Sequence, residues 1–172
     1  ETDEYNILKN IINFNEVLVS DVMTPRTVMF SCEANKKVND IISKPELKMY
    51  SRFPIYEGES IDDGIIGYVM TKDILYAVLI GKGDKPLKDF YRELFIIPEN
   101  AELDSALEIF LKNRNHIALV VDEYGGVEGL LTMEDVLETI LGVEIVDEAD
   151  KVVDLREMAK KRRDKRIQQL TK

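Results

Sequence analysis

Apolar residues recur along this chain in two rhythms, one that suits strands and one that suits helices. His116–Val121, HIALVV, is a short, mostly apolar run bounded by polar residues and predicts a buried strand. Asp122–Gly126, DEYGG, predicts a turn in which Gly125 and Gly126 are free to take positive φ. Val127–Leu131 predicts a second strand. From Thr132 the rhythm changes, and Val136, Leu137, Ile140 and Leu141 fall at helical spacing.

The same rhythms run earlier in the chain. Ile7, Leu8, Ile11, Ile12 and Phe14 predict an amphipathic helix over 4–18. In SDVMTPRTVM, Pro25 stops any helix and favours an extended chain at Thr24. Val38–Ile42 predicts the start of a short helix that Pro45 interrupts or closes. Arg52–Tyr56, RFPIY, predicts a strand, and Pro54 within it argues for an edge or a strand start. Ile65–Val69 predicts the next strand, and Lys72–Ile80 a helix that ends in the glycine-rich loop GKGDKP.

These elements form an internal repeat. Phe30, Val38, Ile42 and Ile55 match Phe95, Leu103, Leu107 and Val120 at a constant offset of 65. Beyond the hairpin, Gly67, Asp73, Ile74 and Leu75 match Gly129, Asp135, Val136 and Leu137 at an offset of 62, because the second hairpin is three residues shorter. Each copy reads strand, helix, strand, strand, helix. The fold class is therefore α/β (α+β), two βαββα units whose exposed sheet or helix faces would stack about a pseudo-two-fold axis.

Charge adds an asymmetry. Residues 151–172 hold nine Lys or Arg and three Asp or Glu, so the net charge of −10 divides into +6 there and −16 before it. Such a body should repel nucleic acid. The basic tail could touch acidic lipid or the acidic body of a partner subunit. No apolar run is long enough to span a membrane, and the acidic start ETDEYN is no secretory signal, so this stretch is expected to be soluble. Cys32, the single cysteine, excludes an internal disulfide and a cysteine-based zinc cluster.

The candidate chemistry lies at Thr132 and Asp135. Thr-Met-Glu-Asp is a capping-box-like helix start, worth about 1 kcal/mol as a cap. It is also a polar lip of hydroxyl, backbone N–H groups and carboxylate that could hold a phosphate or a ribose hydroxyl. Repetition of the Asp at position 73 raises the second reading. Met70, however, stands where the other copy has Thr132, so the first copy lacks the hydroxyl unless Thr71 substitutes. Catalysis has little support. The lone His116 matches Ser51 in the repeat and lies at a strand start. Cys32 sits beside Glu33, which disfavours a thiolate. DEAD at 147–150 comes with no phosphate-binding glycine loop.

Two units of this kind, each carrying G-x-x-x-x-x-D into a helix, resemble a tandem pair of CBS domains. The stretches DEYGGVEGLLTMEDVLETILG, SDVMTPRTVM and YSRFPIYEG more specifically resemble the CorC/HlyC hemolysin-like family of magnesium and cobalt transport proteins, bacterial relatives of the CNNM transporters. The resemblance implies a linker helix over 1–20 from a preceding membrane domain, CBS repeats over 21–84 and 85–145, and a basic helical tail over 146–172. It implies a non-enzymatic regulatory module on the cytoplasmic face of the cell membrane, a homodimer through its CBS pair, and no nucleic-acid partner. It also implies an adenine nucleotide ligand, ATP or AMP, with Mg2+ offsetting the phosphate charge and no metal held by the protein itself. Carried over by position, the nucleotide site takes Thr27, Leu131, Thr132 and Asp135 together with Tyr50, Ser51, Arg52, Phe53 and Pro54. A second, weaker site takes Thr71, Asp73 and His116. Nucleotide bridging the two copies would bias the N-terminal helix and, through it, the membrane domain. A ligand-free dimerisation scaffold is the alternative.

Overall fold

The structure, a computed structural model, describes residues 2–142. The basic tail expected over 146–172 lies outside them. In chain order the elements are α1 (Thr2–Asn13), α2 (Val19–Val22), β1 (Thr24–Pro25), β2 (Cys32–Glu33), α3 (Val38–Ile41), β3 (Arg52–Tyr56), β4 (Ile65–Met70), α4 (Thr71–Leu79), β5 (Phe95–Pro98), α5 (Leu103–Asn113), β6 (Ile117–Val121), β7 (Val127–Thr132) and α6 (Met133–Leu141). They form two compact units. One is Phe30–Phe95; the other joins the described residues up to Met29 to residues 96–142.

Both units are built to one plan. In the Phe30–Phe95 unit the sheet order is β2-β3-β4; in the other it is β5-β6-β7-β1. The two hairpins share a register, Phe53 opposite Val69 in one and Ala118 opposite Leu131 in the other. Each carries an irregularity at the same place, Ile55/Tyr56 and Val120/Val121. Matched core positions are equally buried: Val38 and Leu103, Ile55 and Val120, and Ile74 and Val136 are all sealed from solvent. The repeat in the sequence is thus a repeat of packing.

Each sheet is completed by the segment that leads into the other copy. Thr24 and Pro25 of β1 pair with Leu130 and Gly129 of β7, although they precede the first copy in the chain. Arg92, which precedes the second copy, bridges Tyr68 of β4 through hydrogen bonds of 3.0 and 2.8 Å in the two directions. Gly67 and Gly129 make these crossings possible. A side chain at Gly67 would run into the carbonyl oxygen of Arg92, and one at Gly129 into that of Thr24.

Three sequence expectations are corrected. The helix expected over 4–18 ends at Asn13; a 3-10 turn follows over Phe14–Glu16, and Leu18 is extended and bridges Glu102. The cause is Phe14, which turns into the core, and the backbone of Val17–Ser20, which hydrogen-bonds to residues 99–103 instead of to a further helical turn. Pro54 lies in β3, the middle strand of its sheet and not an edge. It is tolerated because β2 reaches only Ile55 and Tyr56, while the partner Tyr68 sends its own N–H and carbonyl to Arg92, so no ladder bond is missing at Pro54. In the DEYGG turn only Gly125 takes positive φ, +83°. Gly126 is needed for space, since a side chain there would meet the Asp122 carboxylate.

Candidate functional site

The start of α6 is held from both sides. Thr132 leaves β7 in an extended conformation, φ −113° and ψ 158°, so its hydroxyl faces the first turn of the helix. That hydroxyl accepts the Asp135 N–H at 3.2 Å, and an Asp135 carboxylate oxygen accepts the Thr132 N–H at 3.0 Å. The capping box read from the sequence is formed. Asp135 is 1% exposed, a buried carboxylate at the positive end of the helix dipole. The Met133 N–H donates to the His116 carbonyl at 3.0 Å, and the Thr139 hydroxyl donates to the Asp135 carbonyl at 2.9 Å. Thr27 is exposed in the 3-10 turn Arg26–Val28, which packs on β7, with Arg26 donating to the Val127 carbonyl at 3.4 Å. Thr27, Thr132 and Asp135 therefore share one unit, and Leu131 of the same unit is buried.

The start of α4 is wired differently. Its N-cap position is Met70, which forms no side-chain cap. Thr71 does not take over that role. Its hydroxyl donates to the Tyr50 carbonyl at 2.6 Å and its N–H to the Ser51 carbonyl at 3.0 Å, so it fixes the Tyr50–Arg52 edge instead. Asp73 turns to Arg92, with 2.8 Å between carboxylate and guanidinium, an interaction that raises the Arg92 pKa first through the hydrogen bond and then through charge. Arg92 was not singled out from the sequence. Its role depends on its place beside Tyr68, and no local motif signals that.

The remaining candidates divide by burial. Tyr50 stacks on Phe30 with ring centroids 5.9 Å apart and planes 12° from parallel; Ser51 is exposed and Arg52 half-buried. Phe53 is 1% exposed, in the core and against Phe30, and Pro54 is also buried, so both offer a ligand backbone atoms only. His116 is exposed and belongs to the unit of α6, while Thr71 and Asp73 belong to the Phe30–Phe95 unit.

The electrostatics suit binding better than covalent chemistry. The Cys32 thiol is pushed up to about 11, chiefly by burial; Lys44 and Lys36 oppose the shift and Glu46 adds to it. Burial, and not the neighbouring Glu33 expected from the sequence, leads the list of causes. Glu128 on β7 is raised by burial and then by Glu99 and Asp122, with Arg26 opposing. Among the described residues no group of three or more His, Cys, Asp or Glu side chains is placed to hold a metal ion, and no helix is long and apolar enough to cross a membrane.

Comparison with known proteins places this geometry. Residues 87–142, which include the whole α6 site except its contribution from Thr27, match the CBS domain family. Hemolysin C of Rickettsia prowazekii is 35% identical over 88% of this chain and 49% of its own length. The magnesium and cobalt efflux protein CorC of Escherichia coli is 32% identical over 90% of this chain and 52% of its own. Among solved structures, the CBS domain of a bacterial CNNM/CorC family Mg2+ transporter in complex with ATP superimposes with a TM-score of 0.75 at 33% identity, covering 81% of this chain and 98% of that one. A CBS-domain pair with bound AMP from Klebsiella pneumoniae gives 0.61 at 29% identity, covering 73% and 99%. The chain belongs to the hemolysin-like CNNM/CorC family and comprises its CBS-domain part. It spans about half the length of the curated relatives it matches.

Proposed function

We propose that this module binds an adenine nucleotide, ATP or AMP, and reports its presence to a membrane-embedded domain of a divalent-cation transport protein. The observation that carries this reading is the buried Asp135 paired with Thr132 at the mouth of α6. A carboxylate and a hydroxyl at a strand-to-helix junction suit ribose hydroxyls, and the helix N-terminus suits phosphate. Similarity to CBS domains solved with ATP and with AMP supports the choice of ligand class. The ribose and phosphate contacts are assigned to Thr27, Thr132 and Asp135, and to the backbone of Leu131. Base and further phosphate contacts are assigned to Tyr50, Ser51 and Arg52, and to the backbone of Phe53 and Pro54. Mg2+ enters as the counter-ion of the phosphates, because polyphosphate is otherwise repelled by a body of net charge −16. Thr71, Asp73 and His116 contribute to at most a weaker second site, since Thr71 and Asp73 are already engaged within their own unit.

The reading places the module at the cytoplasmic face of the membrane, as a homodimer. The exposed Leu75, Tyr76, Leu79 and Ile80 at α4 supply an apolar surface suited to a second copy. The second reading is a ligand-free dimerisation scaffold, favoured by the mutual satisfaction of Thr132 and Asp135 in the capping box. Isothermal titration with ATP, ADP and AMP, each with and without Mg2+, separates the two. Saturable heat that disappears in Thr132→Ala or Asp135→Ala supports the sensor. A folded dimer, free of carried-over ligand, that shows no heat with any nucleotide supports the scaffold.

A further inference from the structure

α1 is apolar on two sides. Toward its own unit it turns Ile7 and Asn10, both half-buried, and just beyond its last turn comes Phe14, which is buried. These three fall at i, i+3 and i+7, the spacing of one helix face. On the other side Tyr5, Leu8, Ile11 and Ile12 are 68, 60, 50 and 74% exposed. Four large apolar side chains left open on one twelve-residue helix make a patch of the kind that marks an interaction site. α6 packs on α1 and ends beside it, since a side chain at Gly142 would meet the side-chain amide of Asn10.

Charge around the patch is mostly of one sign. Asp3 and Glu4 in the first turn of α1, Glu16 and Asp21 after it and Glu134 in the first turn of α6 are exposed, with Lys9 among them. Residues 151–172, outside the described residues, carry the opposite sign, nine Lys or Arg against three Asp or Glu. Val152, Leu155 and Met158 are three apart there, one face of the helix that the sequence predicts. The eight residues 143–150 span up to about 26–29 Å when extended, whereas α1 is about 18 Å long. A chain that leaves Gly142 beside Asn10 can therefore bring residue 151 to any turn of α1.

We propose that the outer face of α1 is the docking site for residues 151–172 of the same chain. The segment runs antiparallel to α1, so that Val152, Leu155 and Met158 lie along Ile12, Leu8 and Tyr5. The two stripes match in length, about 9 Å from residue 152 to 158 and about 10 Å from residue 5 to 12. The same direction carries Lys160, Lys161 and Arg162 to the acidic first turn at Asp3 and Glu4. Burial of the apolar stripe supplies the stability and the charges set the direction. An acidic lipid surface fits the patch less well, because Asp3 and Glu4 would meet like charge.

Hydrogen exchange of the 2–13 amides, measured on the whole chain, tests the docking. Leu155→Asp, and separately Lys160→Glu with Lys161→Glu and Arg162→Glu, should speed exchange in α1 by about fivefold or more, while β6 and β7 keep their wild-type protection. Asp3→Lys with Glu4→Lys, added to the charge-reversed segment, should restore most of the protection of α1. Unchanged exchange in α1 in both variants of the segment overturns the proposal, as does a change spread equally over β6 and β7. Wild-type protection of α1 that grows with protein concentration overturns it in favour of a second copy. Protection that appears only when phosphatidylglycerol vesicles are added overturns it in favour of a membrane surface.

Discussion

α4 and α6 occupy the same place in two copies of one fold, and each has Asp at the third position of its first turn. Their first turns nevertheless do different work. At α6 the preceding residue is Thr132, and Asp135 closes a buried capping box with it. At α4 the preceding residue is Met70, and Asp73 pairs with Arg92 at a partly exposed position. One hydroxyl separates an inward, hydrogen-bonded carboxylate from an outward, ion-paired one. The lesson is that a repeated residue need not repeat its role, because the role is set by what stands one turn earlier and across the sheet.

The strongest test concerns what the copies share. Gly67→Ala and Gly129→Ala should each destabilise by about 1–3 kcal/mol, since a methyl group would strike a crossing backbone carbonyl that cannot rotate away. Urea denaturation measures it. If either variant is neutral, the crossing segment can move aside and the two units differ more than their registers indicate.

The next test concerns what separates the copies. Asp135→Ala should cost about 1–3 kcal/mol, because it leaves the Thr132 N–H without its carboxylate partner in a part-buried site. Asp73→Ala should cost less than about 1 kcal/mol, as expected of an exposed pair. In calorimetric titration, Asp135→Ala should weaken nucleotide binding at least tenfold more than Asp73→Ala. Equal losses in either experiment would erase the distinction between the two helix starts.

The smallest effect sits one strand back. Glu128 occupies the position in β7 that Ile66 occupies in β4, and burial with neighbouring carboxylates raises its pKa above 4.5. The folded state therefore holds the proton more tightly than the unfolded chain does. The charged form destabilises the fold above the raised pKa, and acidification toward 4.5 relieves it. Glu128→Gln should raise the melting temperature slightly at pH 7, with the gain shrinking as pH falls through that window. A gain that does not vary with pH would assign the effect to packing.

Much of this was legible in the chain itself. The repeat shows in matches at a constant offset, while the strand and helix pairs of each copy and the Thr132–Asp135 cap rest on local periodicity and on residues within four positions of one another, where sequence spacing translates directly into geometry. Less legible were contacts between residues far apart in the chain. Arg92 beside Asp73, Thr71 on the Tyr50 carbonyl and the early end of α1 at Asn13 each depend on a partner 19, 21 or more residues away. Phe53 illustrates the same limit within the candidate site. An aromatic in a strand reads equally well as a stacking surface or as core, and only packing against Phe30 decided for core.

The sequence by itself determined that two copies of one α/β unit exist, where their helices begin, and which helix start carries a hydroxyl. These follow from backbone preferences and side-chain periodicity, which act over a few residues. The tertiary structure alone decided that the segments around Thr24 and Arg92 each complete the sheet of the copy they do not introduce, that Gly67 and Gly129 leave room for them, and that Asn10 meets the end of α6 at Gly142. Those outcomes depend on close packing between distant parts of the chain, where a single methyl group or a single guanidinium determines which arrangement fits.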